Sequence, residues 1–186
     1  MMYKFFLLLL ISALAFPAMA QDKIYKTAVG KISFVSDAPL EVISAKSGKM
    51  EGVIDAGALS FAFSVVIQTF EGFNNGLQKE HFNENYLETY KYPTATFSGK
   101  IIEHIDISKP GTYQIRAKGK LNIHGRSQER IIKVDLISTG TEIKASTFFM
   151  VPLIDHQIEV PRIVNQKIAQ EIAVTVQATL FLEGKS

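Results

Sequence analysis

The residues able to do acid–base or metal chemistry are few and scattered along this chain. Glu80-His81-x-x-Glu84 sets two carboxylates one helical turn apart with an imidazole beside them, a spacing that can offer ligands to a divalent metal. No second cluster supplies the remaining ligands, so a solvated polar helix face accounts for the same residues more simply. Asp155-His156 follows the Val151-Pro152 stop. As an acid–base pair it lacks a nucleophile, and adjacent side chains on an extended chain point apart. His124-Gly125 has the character of a turn whose histidine bonds to backbone, and His104 falls within a candidate strand without an evident partner. With no cysteine anywhere, thiolate catalysis, disulfides, Fe–S clusters and Cys-ligated zinc are excluded. The G-x-S-x-G, H-E-x-x-H, P-loop and dinucleotide fingerprints are missing too. The expectation is a protein that is not an enzyme, with no metal and no cofactor.

The scaffold that carries these residues begins after a leader. Lys4 is followed by the apolar run Phe5–Phe16 and by Ala18-Met19-Ala20. That is the anatomy of a secretory signal peptide, and the run is too short to span a bilayer. Cleavage after Ala20 takes 20 of the 186 residues and leaves 166, from Gln21 to Ser186, expected to form a single domain. Loss of Lys4 lowers the net charge from +2 to +1. A near-neutral balance without basic clusters argues against a nucleic-acid partner. No later segment approaches the roughly 18 apolar residues of a membrane helix, and no cysteine is present to take a lipid anchor. The expected location is the periplasm or the exterior of the cell.

Period-two alternation dominates the rest. Tyr113, Ile115, Ala117, Gly119, Leu121 and Ile123 fall on one face, with Gln114, Arg116, Lys118, Lys120, Asn122 and His124 on the other. Ile172, Val174, Val176, Ala178, Leu180 and Leu182 repeat the pattern near the C-terminus. Strands with one dry and one wet face are implied. Less regular candidates are 31–36, 41–45, 50–55, 59–69, 94–107, 130–138 and 142–151. Turn residues at Ser36-Asp37-Ala38-Pro39, Ser47-Gly48, Ala56-Gly57, Ser108-Lys109-Pro110-Gly111 and Thr139-Gly140 separate them. Eight or nine strands on short turns predict an antiparallel meander, all-β in the main, and long strands with one apolar face tend to close into a barrel. Residues 74–92 break the alternation. Phe73, Leu77, Phe82, Tyr86 and Tyr90 approach helical spacing, with Asn74 or Asn75 as cap and Pro93 as stop. Residues 161–170 are a second, weaker helical candidate.

A barrel of about eight strands is the size at which side chains either fill the interior or leave room for one small ligand. Its dry faces mix large residues such as Phe61, Phe63, Phe97, Tyr113 and Leu121 with Ala95, Gly99, Ala117, Gly119, Ala145 and Ala178. Small mid-strand residues either keep space for a guest or relieve crowding where strands bend. The pattern leaves both open. A cavity lined this way carries almost no charge, so its guest would be apolar.

Three stretches also resemble a known family. Glu80-His81-Phe82-Asn83-Glu84-Asn85-Tyr86-Leu87, followed by Tyr92-Pro93-Thr94-Ala95-Thr96-Phe97, resembles the helix and strand entry of YceI-like proteins. Gly119-Lys120-Leu121-Asn122-Ile123-His124-Gly125 is similar to that family's G-x-L-T-I-x-G strand and turn, and 148–162 to a late region of its exported bacterial subgroup. Lys79-Glu80 stands where Arg-Asp is usual, and Asn122 where Thr is commoner. The resemblance implies an extended lipocalin-like antiparallel barrel with a helix at its side, and an apolar chain ligand such as a polyisoprenoid or the tail of an isoprenoid quinone. On this reading the lining is Phe61, Phe63, Phe97, Tyr113, Ile115, Leu121, Ile123, Val174 and Val176, with Gly99, Ala117 and Gly119 making room. The protein would act as carrier, store or scavenger, without stable membrane insertion, and a homodimer stays open. The rival expectation is a structural protein of the cell envelope with a filled barrel.

Overall fold

The computed structural model describes residues 23–184; the expected leader and its cleavage site lie outside them. Eight strands form a closed antiparallel barrel in simple chain order. They are β1 (Ile24–Ala38), β2 (Glu41–Asp55), β3 (Ser60–Val66), β4 (Thr94–Ile101), β5 (Gly111–Ile123), β6 (Arg126–Ser138), β7 (Glu142–Pro152) and β8 (Glu171–Leu182). β8 returns to β1, with Phe34 opposite Val174, so no strand is left as a free edge. β1 and β2 have 15 residues each. At about 3.3 Å per residue such strands are roughly 50 Å long, which makes the barrel deep for its girth.

Alternation places the apolar set inside as the sequence implies. On β3, where both faces are apolar, Phe61, Phe63 and Val65 share one parity, with Phe61 and Val65 buried, while Ala62 and Val66 are exposed. Ser47-Gly48 is not a turn: it lies inside the continuous strand β2, because Ser47 Oγ shares a 2.7 Å hydrogen bond with Thr69 Oγ1 and accepts from Lys49 N–H. β4 stops at Ile101, earlier than its apolar pattern suggests. His104 therefore belongs to the connection to β5, not to a strand, and is exposed.

Gly99 and Gly119 face each other across β4 and β5. A Cβ on Gly99 would lie 2.1 Å from the Lys118 carbonyl oxygen, and one on Gly119 2.3 Å from that of Ser98. These glycines let two strand backbones approach and bend, which is how a sheet of this length curves shut.

The helical segment is shorter than its spacing suggests. α1 spans Gly76–His81, with Asn75 Oδ1 accepting from Gln78 N–H at 2.9 Å as its cap. It runs into a π-helical turn, Phe82–Tyr86. In the second candidate region only Arg162–Val164 forms a 3₁₀ turn.

The barrel's two ends differ. One carries the β2–β3 and β6–β7 turns and the 102–110 connection, and there Tyr25, Ile107, Leu136, Ile143 and Leu180 are at most 1% exposed. Tyr25 Oη donates to the Gly140 carbonyl at 2.7 Å, Tyr113 Oη to that of Lys109 at 3.0 Å, and Lys23 Nζ to Ser108 Oγ at 2.5 Å. That end is sealed. The other carries α1, the β1–β2 and β5–β6 turns and the long β7–β8 connection, and the interior opens towards it.

Candidate ligand-binding site

A cavity of about 560 Å³ runs down the barrel from the helical end to a floor just above the sealed end. Its floor is formed by Ile54, Ile101, Leu136, Ala145 and Ala178. Leu136, Ala145 and Ala178 sit side by side on β6, β7 and β8, so two methyl groups stand where larger side chains would fill the bore. Above them Phe61 packs on Phe97 with ring centroids 4.9 Å apart. Phe63 lies against β2 at Gly52, where a Cβ would come within 2.1 Å of its ring. Higher still, Phe34, Phe70, Phe73 and Phe82 form one aromatic cluster, with Phe34 and Phe82 stacked at 5.3 Å. Through Phe82 this cluster holds the helical segment to the wall.

Charge is confined to the mouth. Among the lining residues the acidic, basic and imidazole side chains are Glu41, Lys167 and His81, all from segments at the open end. Tyr86 also borders the cavity, and burial pushes its phenol up, which keeps it neutral. An apolar bore with a polar mouth suits an amphiphile whose chain enters first.

Of the residues singled out from sequence, Phe61, Phe63, Phe97, Ile115, Ala117, Leu121, Ile123, Val174 and Val176 face this cavity. Tyr113 lies nearer the sealed end and packs on its core cluster, with its hydroxyl spent on the Lys109 carbonyl. Gly99 and Gly119 shape the wall. The alternation failed to single out Phe34, Ile43, Met50, Phe70, Phe149 and Leu153, which also line the cavity. Phe70 and Leu153 lie in connections, where period-two reasoning has no purchase, whereas Phe34 shares a parity with Ile32 that was readable.

The groups with chemical potential do not converge. His81 borders the cavity mouth, whereas Glu80 and Glu84 line a separate surface depression with Lys79 and Asn83. No cluster of three metal-ligating side chains occurs among the described residues. Asp155 and His156 lie in the 3₁₀ turn Leu153–His156 and serve structure. β6 and β7 pair only from Asp135–Ser146 to Ser138–Ile143; beyond that, side chains close the seam. Arg130 donates to the Met150 carbonyl at 2.5 Å and to Asp155 Oδ2 at 3.3 Å, and Gln128 Nε2 to the Asp155 carbonyl at 2.6 Å. His156, 1% exposed, donates from Nδ1 to the Arg126 carbonyl at 3.0 Å. Burial pushes its imidazole down, so it is neutral at pH 7.

His124 has left-handed backbone (φ 52°) beside Gly125 (φ 68°). Its Nδ1 meets the His156 carbonyl at 3.2 Å and its Nε2 the Glu88 carboxylate at 2.7 Å. The His124 hydrogen bond, then that of Lys91, holds the Glu88 carboxyl below its ordinary range. Tyr92 packs edge-on against His124 at 4.9 Å and fills the space that a side chain at position 125 would need. The turn after β5 thus pins the strap that follows the helix.

A closed eight-stranded meander with an apolar bore open at one end defines a lipocalin-like binding barrel. The YceI-like domain model matches residues 25–180, and the chain belongs to that family. Among solved structures it is similar to a polyisoprenoid binding domain from Saccharophagus degradans, implicated in plant cell wall breakdown, at 12% identity over 88% of this chain and 100% of that one, with a TM-score of 0.75. It is also similar to BcnA of Burkholderia cenocepacia, at 16% identity over 81% and 95% of the two chains and a TM-score of 0.65. A YceI protein of Campylobacter jejuni matches at 15% identity over 71% and 78%, with a TM-score of 0.54. At these identities the likeness carries the fold. No curated protein matches in sequence.

Proposed function

We propose that this chain is an exported, non-catalytic binding protein that holds one apolar chain lipid, a polyisoprenoid or isoprenoid quinone, as carrier, store or scavenger. The observation that carries this reading is the unfilled apolar cavity of about 560 Å³ inside a barrel sealed at one end. A filled barrel, as a purely structural envelope protein would have, does not account for it. At about 30 Å³ per heavy atom of liquid-like volume, the cavity accommodates roughly 20 carbons, or about four isoprene units. At about 0.8 kcal/mol per CH₂, moving such a chain out of water is worth roughly 16 kcal/mol before ordering costs. No designed polar site is needed for affinity. The polar mouth suits a head group, and the Saccharophagus domain's name gives the same ligand class for a barrel of this fold. Export rests on the leader anatomy of Lys4, Phe5–Phe16 and Ala18-Met19-Ala20.

The chain has no tryptophan, so Phe97→Trp installs a single reporter in the bore. Titration with a quinone bearing a four-isoprene tail should quench it to saturation at one equivalent. Leu121→Trp, in a second protein, should lower occupancy while leaving the thermal midpoint intact. Quenching that rises linearly without saturation would rule the site out.

A further inference from the structure

The rim of the open end is apolar on its outside as well as its inside. Leu40, Val42, Leu77 and Ile163 are 65%, 54%, 58% and 93% exposed. They come from three stretches far apart in sequence: the β1–β2 turn with the start of β2, α1, and the 3₁₀ turn Arg162–Val164. Hydrogen bonds tie these stretches into one structure. Leu40 N–H donates to the Gln166 carbonyl at 2.9 Å. Asn74 Nδ2 donates to the Val42 carbonyl at 3.0 Å, and Gln78 Nε2 to Glu41 Oε1 at 2.5 Å. Leu77 also lines the cavity, as does Val164 beside Ile163. The outer collar therefore continues into the bore. Scattered exposed aliphatic residues need no explanation, but four gathered around the opening of an apolar cavity do. Charge beside the collar is of both signs, Glu41 against Arg162 and Lys167.

We propose that this collar is a docking surface for a lipid bilayer, through which an apolar chain passes between membrane and bore without crossing water. The inference rests on reading the cavity as a chain-lipid site. Each CH₂ that must enter water lowers the escape of a chain from a bilayer about fourfold. A four-isoprene chain therefore exchanges far faster where two apolar phases touch. The collar meets that need: it is aliphatic, it borders the mouth, and its mixed charge gives no field that would favour an acidic or basic protein partner. The sealed end has no such opening.

The test is transfer of a pyrene-labelled twenty-carbon polyprenol from the loaded protein to vesicles of phosphatidylethanolamine and phosphatidylglycerol. The expected rate rises in proportion to vesicle concentration and changes less than about twofold with added salt, because apolar contact is not screened. Leu40→Asp with Ile163→Asp should slow it at least about tenfold, as removal of two inserted side chains implies, with the loaded fraction and thermal midpoint unchanged. A rate independent of vesicle concentration, or unaltered in the variant, would overturn the proposal. So would a concentration-dependent dimer dissolved by the same substitutions, which would assign the collar to a second copy of the chain. Failure of the probe to load counts against the cavity reading instead. Flotation of the unloaded protein with the same vesicles then decides the docking: co-flotation that the variant loses supports it, and no flotation overturns it.

Discussion

The two ends of this barrel are built from the same strands yet follow different rules. At the sealed end Tyr25, Ile107, Leu136, Ile143 and Leu180 are at most 1% exposed, and the Tyr25 and Tyr113 hydroxyls donate to carbonyls of the closing turns. From the floor to the open end the same strand faces border a cavity, Ala145 and Ala178 stand where larger groups would fill it, and aromatic residues from the connections cover the wall. Packing to crystal-like density is what stabilises a core; leaving space forfeits contacts and is kept where something else fills it. The sealed end holds the fold, and the open end keeps the space that the proposed guest would fill.

The largest expected effect tests that division directly. Leu180→Ala at the sealed end should cost about 2–5 kcal/mol in urea unfolding, because it opens a hole in a closed core. Leu121→Ala, which enlarges an existing cavity, should cost about 1–2 kcal/mol, having fewer contacts to lose. Equal losses would mean that the two ends are packed alike. Ala178→Leu tests the cavity by filling it. Three added carbons take about 90 Å³ from the bore, so a twenty-carbon chain should bind at least tenfold more weakly while a ten-carbon chain is little affected. If the site were tightly packed instead, the same change would destabilise the fold by about 1–3 kcal/mol.

A smaller effect concerns pH. His156 is held neutral by burial, with its pKa below the ordinary 6.5. The unfolded chain then takes up a proton that the native state refuses, so the stability linked to this group is complete above pH 6.5 and is lost as pH falls through the folded value. Unfolding midpoints measured between pH 7.5 and 5 should fall in the native protein and flatten in His156→Gln. The smallest effect is expected at the strap. Glu88→Gln removes the carboxylate that His124 hydrogen-bonds and that pairs with Lys91. Amide exchange should quicken over residues 87–92 while the sealed end, including Leu180, keeps its protection.

The sequence carries the barrel because alternation is written into each strand. The run from Tyr113 to Ile123 shows its dry face without ambiguity, and the glycine and proline turns order the strands. Alternation reports which side of a strand is dry, but not whether the space beyond is filled. Gly99 and Gly119 illustrate this: the same small residues fit a cavity or a bent wall, and only the Lys118 oxygen, 2.1 Å from where a Cβ on Gly99 would lie, decides for the wall. Phe70, Phe73 and Phe82 were hard to place for a different reason. Their partners, Phe34 among them, come from distant strands, and contacts between connections and strands have no period. Ser47-Gly48 misled as a turn because its local propensity yields to a hydroxyl contact with Thr69.

The most direct test of the carrier reading is mass spectrometry of an organic extract from the protein, produced in its own host and purified without detergent. The account predicts a near-stoichiometric isoprenoid or isoprenoid quinone, lost from the Leu121→Trp protein. An extract without any chain lipid, from a protein that remains folded, would contradict it.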